Sequence, residues 1–390
     1  MSSFDREVTR RKLLTSISEI EPILMECAEG SDIGETLSRS AVDALRDAGL
    51  FSLKTPHVLG GYEADPMLQM EVIEAVSYIH PASGWCTMVG AGSAAGPAAY
   101  LPDAGIDAVY KNGRMPTFAG SFAPAGSAIS VDGGYRVSGR WRFASGVRHS
   151  EWVHAGARVA DGGSPGDASL PSVIQVIIPT TDIEILDTWH VMGLRGTGSC
   201  DFTISNLFVK DSMTYAANNV STQPQRGGHL YRLAVPAFFA GEHIGFAAGV
   251  ARRALDELAT MATTTRGQFR STSLSERHVV HRILGEYDIK LRAVRALAFE
   301  YYEGLWKRLC DGEPIGKDLQ TQSRAIATYI TELAVDATIQ AFRYGGAGAL
   351  FQPNTLELLM RDMNAAAQHI MVSDNAYEDH GRLVLGLTDE

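Results

Sequence analysis

His369 stands in Ala365–Met371 (AAAQHIM), among small apolar residues, where an imidazole can hold or pass a proton near neutral pH. By itself, such a lone histidine reads more readily as a satisfied core residue than as a catalyst. Glu242 and His243 are adjacent, hence about 100° apart on a helix, and nothing in the spacing pairs them. His278 and His281 lie three apart, yet no carboxylate or further histidine follows at ligand spacing, so no metal centre is expected. Cys27, Cys86, Cys200 and Cys310 are far apart with no C-x-x-C pair. They suggest neither a zinc knuckle nor a disulfide framework, and read as reduced thiols of a cytoplasmic protein.

Two glycine runs offer binding chemistry. Gly90-Ala91-Gly92-Ser93-Ala94-Ala95 satisfies G-x-G-x-x-[GA], but a dinucleotide fingerprint needs a strand before it and a βαβ unit around it. Here the flanks are helical and small, which suggests close helix packing or a roomy pocket wall. No other stretch offers a nicotinamide site. Phe342-Arg343-Tyr344-Gly345-Gly346-Ala347-Gly348 combines an arginine with backbone amides that can hold a phosphate, although the same run also reads as a helix stop and a glycine turn.

The elements that must position these residues fall into three regions. Residues 1–115 have helical periodicity, with a Gly stop after Ser40–Gly49, a second helix at Met67–Ile79 and a loop at Gly60-Gly61 between them. Residues 116–220 read as strands: Ala128–Ser138 alternates on either side of Asp132-Gly133-Gly134, and β-branched runs follow at 172–179 and 201–209. Ala160–Pro171 is expected to be a surface loop. Residues 221–390 return to helix. Val280, Leu284, Tyr287, Leu291, Val294, Ala298, Tyr301 and Leu305 share one stripe, and Ile244, Ala248, Ala251, Leu255 and Leu258 share another, opposite Arg252, Arg253, Asp256 and Glu257. Segments at about 317–343 and 355–380 make four helices, with His369 inside the last. The expected class is α+β: an N-terminal helical domain, a central antiparallel β domain and a C-terminal four-helix bundle.

At 390 residues, two or three domains are expected, and 34 Lys+Arg against 45 Asp+Glu, a net charge of −11, argue against a nucleic-acid partner. The amino terminus (MSSFDREVTRRKLL) is charged where a signal peptide would be apolar. The uncharged stretch Trp85–Pro102 is too rich in Gly, Ala and Ser to span a bilayer, so no membrane association is expected.

Four ordered motifs resemble one family: Thr117–Ala125 (TFAGSFAPA), Gly139–Gly146 (GRWRFASG), Asp187–Ser199 (DTWHVMGLRGTGS) and Leu359–His369 (LMRDMNAAAQH). The chain looks like the acyl-CoA dehydrogenase fold over nearly its whole length. More narrowly, it resembles the oxygenase components of two-component flavin-dependent monooxygenases of the aromatic hydroxylase type. The resemblance implies that Ser145 hydrogen-bonds the flavin ring near N5 from a strand and that Ser121 lines the flavin or substrate cavity. It implies that Arg266, in Thr265–Phe269 with Phe269 beside the cofactor, grips flavin phosphate. Arg343, Tyr344 and Gly346 match the segment that reaches a neighbouring subunit's flavin, which implies a homotetramer. His369 matches a histidine at the reactive edge of the flavin. Trp85, Ser93 and His149 would face the substrate.

Departures from the family pattern sharpen this. A dehydrogenase needs a carboxylate base shortly after Arg361-Asp362, where this chain has His369-Ile370-Met371, or at the alternative position, here about Val235-Pro236. Neither supplies one, which favours oxygenation. The phenol-orienting histidine of related hydroxylases is absent from Ala91–Gly96, which points to a larger, multi-ring or glycosylated substrate, with His149 as a substitute. The implied activity takes reduced flavin, FMNH2 before FADH2, from a separate NAD(P)H–flavin reductase, and O2. A flavin hydroperoxide then hydroxylates an aromatic or polycyclic small molecule. The alternatives are N- or S-oxygenation, an FAD-dependent acyl-CoA dehydrogenase, and a catalytically silent flavin or ligand carrier.

Overall fold

A computed structural model describes residues 3–111, 113–160, 172–220, 222–264 and 273–387. In chain order its helices are α1 (Ser3–Ile33), α2 (Arg39–Asp47), α3 (Pro66–Ile79), α4 (Pro81–Tyr100), α5 (Asp103–Tyr110), α6 (Ala237–Thr264), α7 (His278–Cys310), α8 (Lys317–Gly345), α9 (Thr355–Ala366) and α10 (Asn375–Val384). Side-chain caps fix several starts. Ser38 accepts from the Ala41 amide at 3.2 Å ahead of α2, and Asp65 accepts from the Leu68 amide at 3.0 Å ahead of α3, whose first residue is Pro66. Among the described residues, no helix is long and apolar enough to cross a membrane.

The strands are β1 (Phe118–Val131), β2 (Gly134–Trp141), β3 (Trp152–Ala160), β4 (Val173–Pro179), β5 (Glu184–Leu186), β6 (Asp201–Lys210) and β7 (Thr214–Ala216), in one sheet ordered β5-β6-β2-β1-β3-β4-β7. The hairpin read at Asp132-Gly133 is present, with Val131 opposite Gly134 and Gly133 at φ 73°. The expectation of a purely antiparallel sheet is corrected: β1 and β3 run parallel, from Phe118 opposite Trp152 to Ile129 opposite Ala160. The cause is the connection after β2. It does not reverse in a tight turn but returns through 142–151 to the beginning of β1, where the Glu151 and Trp152 amides donate to the Thr117 carbonyl at 3.0 and 3.1 Å. At the sheet's centre Trp141 is fully buried, stacks on Phe202 at 5.2 Å and donates from its indole to the Gly156 carbonyl at 2.8 Å. Val137, Val153, Ala155, Ile174, Val176 and Ile178 complete that core.

The chain divides into two compact units: one of Met1–Ala64, Trp85–His190 and Arg195–Ala234, the other of Asp65–Gly84, Val191–Leu194 and Val235–Glu390. The first holds the sheet. The second is helical, with α6 packed against α3, α7, α8 and α9. Glycines let α3 approach α6 closely: a methyl group at Gly245 would sit 2.4 Å from the Met70 carbonyl, and one at Gly249 would sit 2.2 Å from that of Glu74. The stripe on α7 is buried as read, apart from the half-buried Leu284. The single helix expected over 355–380 is corrected to α9, a short turn at Ile370–Val372, and α10. Arg324 on α8 explains the break. It donates to the carbonyls of Ile370 and Met371, at 2.8 and 3.3 Å, and to Ser373 Oγ at 2.7 Å, drawing to itself acceptors a continuous helix would have used. His369 therefore caps a turn and does not lie within a helix.

The G-x-G-x-x-A run lies inside α4, with no strand ahead of it. Its small residues admit neighbours: a methyl group at Gly90 would meet the Phe51 ring at 2.9 Å, and one at Gly96 the Tyr215 hydroxyl at 2.2 Å. Within the stretch that suggested a larger substrate, the space at Gly96 is thus occupied by protein. All of Ala160–Pro171 except Ala160 lies outside the described residues, as do Arg266 and Phe269.

Candidate active site

In the first unit, a cluster forms where β2 ends. Ser145 sits in the turn after that strand, not on it. The preceding Phe143 has φ 60°, a left-handed backbone that a bulky residue rarely adopts; its ring is 67% exposed and meets Trp189 edge-on at 6.3 Å. The Ala144 amide donates to the Cys200 carbonyl at 3.1 Å and the Gly146 amide to that of Thr197 at 2.8 Å. These bonds lace segment 143–146 to segment 197–200. The lacing brings hydroxyls together: Ser145 Oγ lies 2.7 Å from Ser199 Oγ, and Ser199 Oγ lies 2.7 Å from Thr197 Oγ1. The indole of Trp85, on α4, donates to Ser145 Oγ at 3.1 Å. Trp85 and Ser145, assigned separately by resemblance, are thus in direct contact, and the Trp85 N–H is engaged by protein. Ser199 and Thr197 were not singled out from the sequence; only their place in one of the matching motifs pointed toward them.

The other residues of this unit are placed as follows. Ser93 is buried within α4, and its hydroxyl has no partner among the described residues. His149 lies over Gly146, where a methyl group would come within 2.8 Å of its Nε2; burial pushes the imidazole down to about 4, so it is neutral near pH 7. Ser121 is half-buried on β1, at the point where pairing with β3 is interrupted before Gly126. His154 is not singled out by any motif. It is fully buried on β3, with Nε2 2.9 Å from the Tyr215 hydroxyl and its ring edge-on to Phe122 at 4.3 Å, and burial holds it at about 4. The signal was a polar residue in an apolar strand, repeated at Gln175 on β4. Cys86 is buried, which pushes its thiol up and leaves it unreactive. Among the described residues one metal-type trio converges, Glu35, Asp187 and His190. Arg195 reaches Glu35 at 3.3 Å and Arg148 pairs with Asp187, so the trio belongs to a surface ion-pair network.

The second unit carries His369 and a neighbour the sequence did not link to it. The His243 ring, buried on α6, lies 4.7 Å from that of His369, tilted by 33°. The Met371 amide donates to His369 Nδ1 at 3.2 Å. An amide can only donate, so Nδ1 carries the lone pair and the neutral ring's proton resides on Nε2. Burial holds His369 at about 4. Near neutral pH it is therefore a hydrogen-bond donor at Nε2. Glu242 is also buried, because α6 is packed on several sides and a 100° step does not return it to water. Asp362 accepts from the Leu194 amide at 2.6 Å, and Arg361, paired with Glu357, donates to the Met192 carbonyl at 2.7 Å. These two family-motif residues therefore clamp the backbone at 192–194. Arg343 is exposed at the end of α8 with no carboxylate partner among the described residues; it and Arg277 flank the Tyr344 ring at 5.9 and 5.8 Å. Gly346 has φ 77° and open space about its Cα.

Residues 243–374 match the family described as acyl-CoA dehydrogenase, C-terminal domain. The indole-3-acetate monooxygenase of Pseudomonas putida is 26% identical over 350 residues, covering 90% of this chain and 87% of the relative. Two solved structures share the fold. The 3-HSA hydroxylase from Rhodococcus sp. RHA1 has a TM-score of 0.87 at 24% identity, covering 97% of this chain and 98% of its own. XiaF from Streptomyces sp., in complex with FADH2 and glycerol, has a TM-score of 0.88 at 24% identity, covering 98% and 97%.

Proposed function

We propose that this chain belongs to the acyl-CoA dehydrogenase superfamily and is the oxygenase component of a two-component flavin-dependent monooxygenase that hydroxylates an aromatic or polycyclic small molecule. One observation carries the reading. Where a dehydrogenase needs a carboxylate to remove a proton, this chain has His369, held by the Met371 amide as a neutral donor at Nε2. A group with its proton already on Nε2 stabilises negative charge on a bound oxygen better than it takes a proton from carbon. The likeness to an indole-3-acetate monooxygenase supports an aromatic acceptor.

The residues present fit a flavin. One turn, closed by the Ser145 amide donating to the Phe143 carbonyl at 2.9 Å, supplies both a hydroxyl and an exposed aromatic side chain, a combination suited to a planar, polar-edged ring. Exposed Arg343, with no carboxylate partner among the described residues, together with Tyr344 and the open backbone at Gly346, suits a phosphate, and the family resemblance adds Arg266 and Phe269. When bound, reduced flavin supplies the electrons that activate O2. In the first unit Ser145 would hold the ring, and Ser121, Ser93 and neutral His149 would face the substrate without charging it; in the second, His369 offers a hydrogen bond from Nε2. FMNH2 is the first choice and FADH2 the second, delivered by a separate NAD(P)H–flavin reductase. The working arrangement is an N-terminal helical domain (1–115), a central β domain (116–220) and a C-terminal bundle (221–390), acting in the cytoplasm as a homotetramer. Leu350 and Phe351, 67% and 72% exposed just beyond Arg343, supply an apolar surface for a second copy.

The test uses the full chain with a flavin reductase, NADH, a panel of aromatic and polycyclic compounds, and 18O2. One labelled oxygen in a ring hydroxyl supports the reading, and label on nitrogen or sulfur redirects it to N- or S-oxygenation. Buried Glu242 is the specific feature that favours a dehydrogenase instead. Bleaching of bound oxidised FAD by an acyl-CoA thioester, abolished by Glu242→Gln, would replace the proposal with that activity.

A further inference from the structure

Ser145 is the meeting point of side chains from three separate stretches. The Trp85 indole has only a proton to give, so Ser145 Oγ accepts at 3.1 Å. Ser145–Ser199 and Ser199–Thr197, each at 2.7 Å, are hydroxyl pairs in which either member can donate. Trp85, Ser145, Ser199 and Thr197 are 5%, 6%, 3% and 0% exposed, so bulk water does not compete for these bonds. A serine hydroxyl has one proton and two lone pairs, and Trp85 takes one lone pair permanently. What Ser145 shows to any other group is then set by which way the Ser199 pair points.

We propose that Ser199 and Thr197 are positioning residues forming a reversible hydroxyl relay, which makes Ser145 an acceptor toward reduced flavin and a donor toward oxidised flavin. The proposal rests on the assignment of Ser145 to the flavin ring made above. N5 of an oxidised flavin has a lone pair and no hydrogen, whereas N5 of a reduced flavin bears a hydrogen. Facing the oxidised ring, Thr197 donates to Ser199, Ser199 to Ser145, and Ser145 to the nitrogen. Facing the reduced ring, Ser145 accepts on its remaining lone pair and sends its own proton to Ser199, which donates on to Thr197. No bond other than hydrogen bonds changes. The two backbone bonds from Ala144 and Gly146 to the 197–200 segment hold the oxygens in register for both directions.

Removing Ser199 strands the Ser145 proton only when the ring is reduced, because in the oxidised complex that proton still has the flavin nitrogen. Affinities for FMN and, anaerobically, FMNH2 are measured for the full-length wild type, Ser199→Ala, Thr197→Val and Ser145→Ala, with the midpoint potential of the bound flavin. Ser199→Ala is expected to weaken FMNH2 binding about tenfold, the cost of one buried hydroxyl without a partner, with FMN changed less than twofold. The potential then falls by about 30 mV, the value of a tenfold change for a two-electron couple. The isosteric Thr197→Val shifts the ratio in the same direction by less. Equal weakening of both forms, or no change, in both relay variants overturns the relay while leaving the flavin assignment standing. Wild type that binds neither form, or Ser145→Ala that alters neither affinity, overturns the assignment and the relay together.

Discussion

Acid should destabilise this protein well above the pH at which carboxylates titrate, and two enclosed histidines set the size of the effect. His80, 1% exposed with Nδ1 2.8 Å from Ser83 Oγ, and His154, fully buried against Tyr215, are both lowered by burial from 6.5 to about 4. Folded, they stay neutral; unfolded, they bind protons as the pH falls through 6.5. Their contribution is therefore complete above pH 6.5, declines as the pH falls toward 4, and is constant below that. Taking each as 6.5 unfolded and about 4 folded, the loss between pH 8 and pH 5 is ~2 kcal/mol apiece and ~4 kcal/mol together. His149 and His369, also near 4 but in contact with some solvent, add a smaller share. Urea melts at pH 8, 6 and 5, followed by tryptophan fluorescence, measure this. His154→Gln keeps a partner for Tyr215, costs ~1 kcal/mol at pH 8 and removes ~2 kcal/mol of the drop. If wild type and His154→Gln lose the same stability between pH 8 and pH 5, burial of a neutral imidazole is not what the acid limb reports.

Three other outcomes are expected. His369→Gln, which moves the donor and loses the acceptor of the Met371 amide, should lower product formation about 100-fold, the scale of one preorganised donor to developing charge, while reductase-driven NADH oxidation continues. Coupling of NADH to product reads this directly. Arg343→Ala should raise the dissociation constants of FMN and FMNH2 together by about tenfold, as a lost charge-assisted phosphate contact would, and leave their ratio unchanged, unlike the relay variants. Gly249→Ala places a methyl group 2.2 Å from the Glu74 carbonyl and should cost ~2 kcal/mol or more by forcing α3 and α6 apart, visible as a lower Tm by calorimetry.

Local pattern carried much of the architecture. Apolar residues every three or four positions place Tyr287, Leu291, Val294, Ala298, Tyr301 and Leu305 on the buried face of α7, because helix geometry alone decides which side chains share a face. Asp132-Gly133 marks the hairpin because few other pairs reach its backbone angles. Motif order was enough to suggest the family resemblance, with which the family match over residues 243–374 agrees, and the absence of a carboxylate at the expected positions favoured oxygenation.

Tertiary structure decided whatever depends on residues distant in sequence. The parallel pairing of β1 with β3 follows from where the 142–151 connection leads, which no strand's alternation records. The break after α9 depends on Arg324, some forty residues earlier, competing for carbonyls that periodicity assigns to a helix. Burial of Glu242 depends on α6 being packed on several sides, where an amphipathic reading supplies only one buried stripe. The Trp85–Ser145–Ser199–Thr197 cluster and the Nε2 proton of His369 lie furthest from the sequence. A hydrogen bond's direction is fixed by which atoms meet, and only the folded chain brings these atoms together.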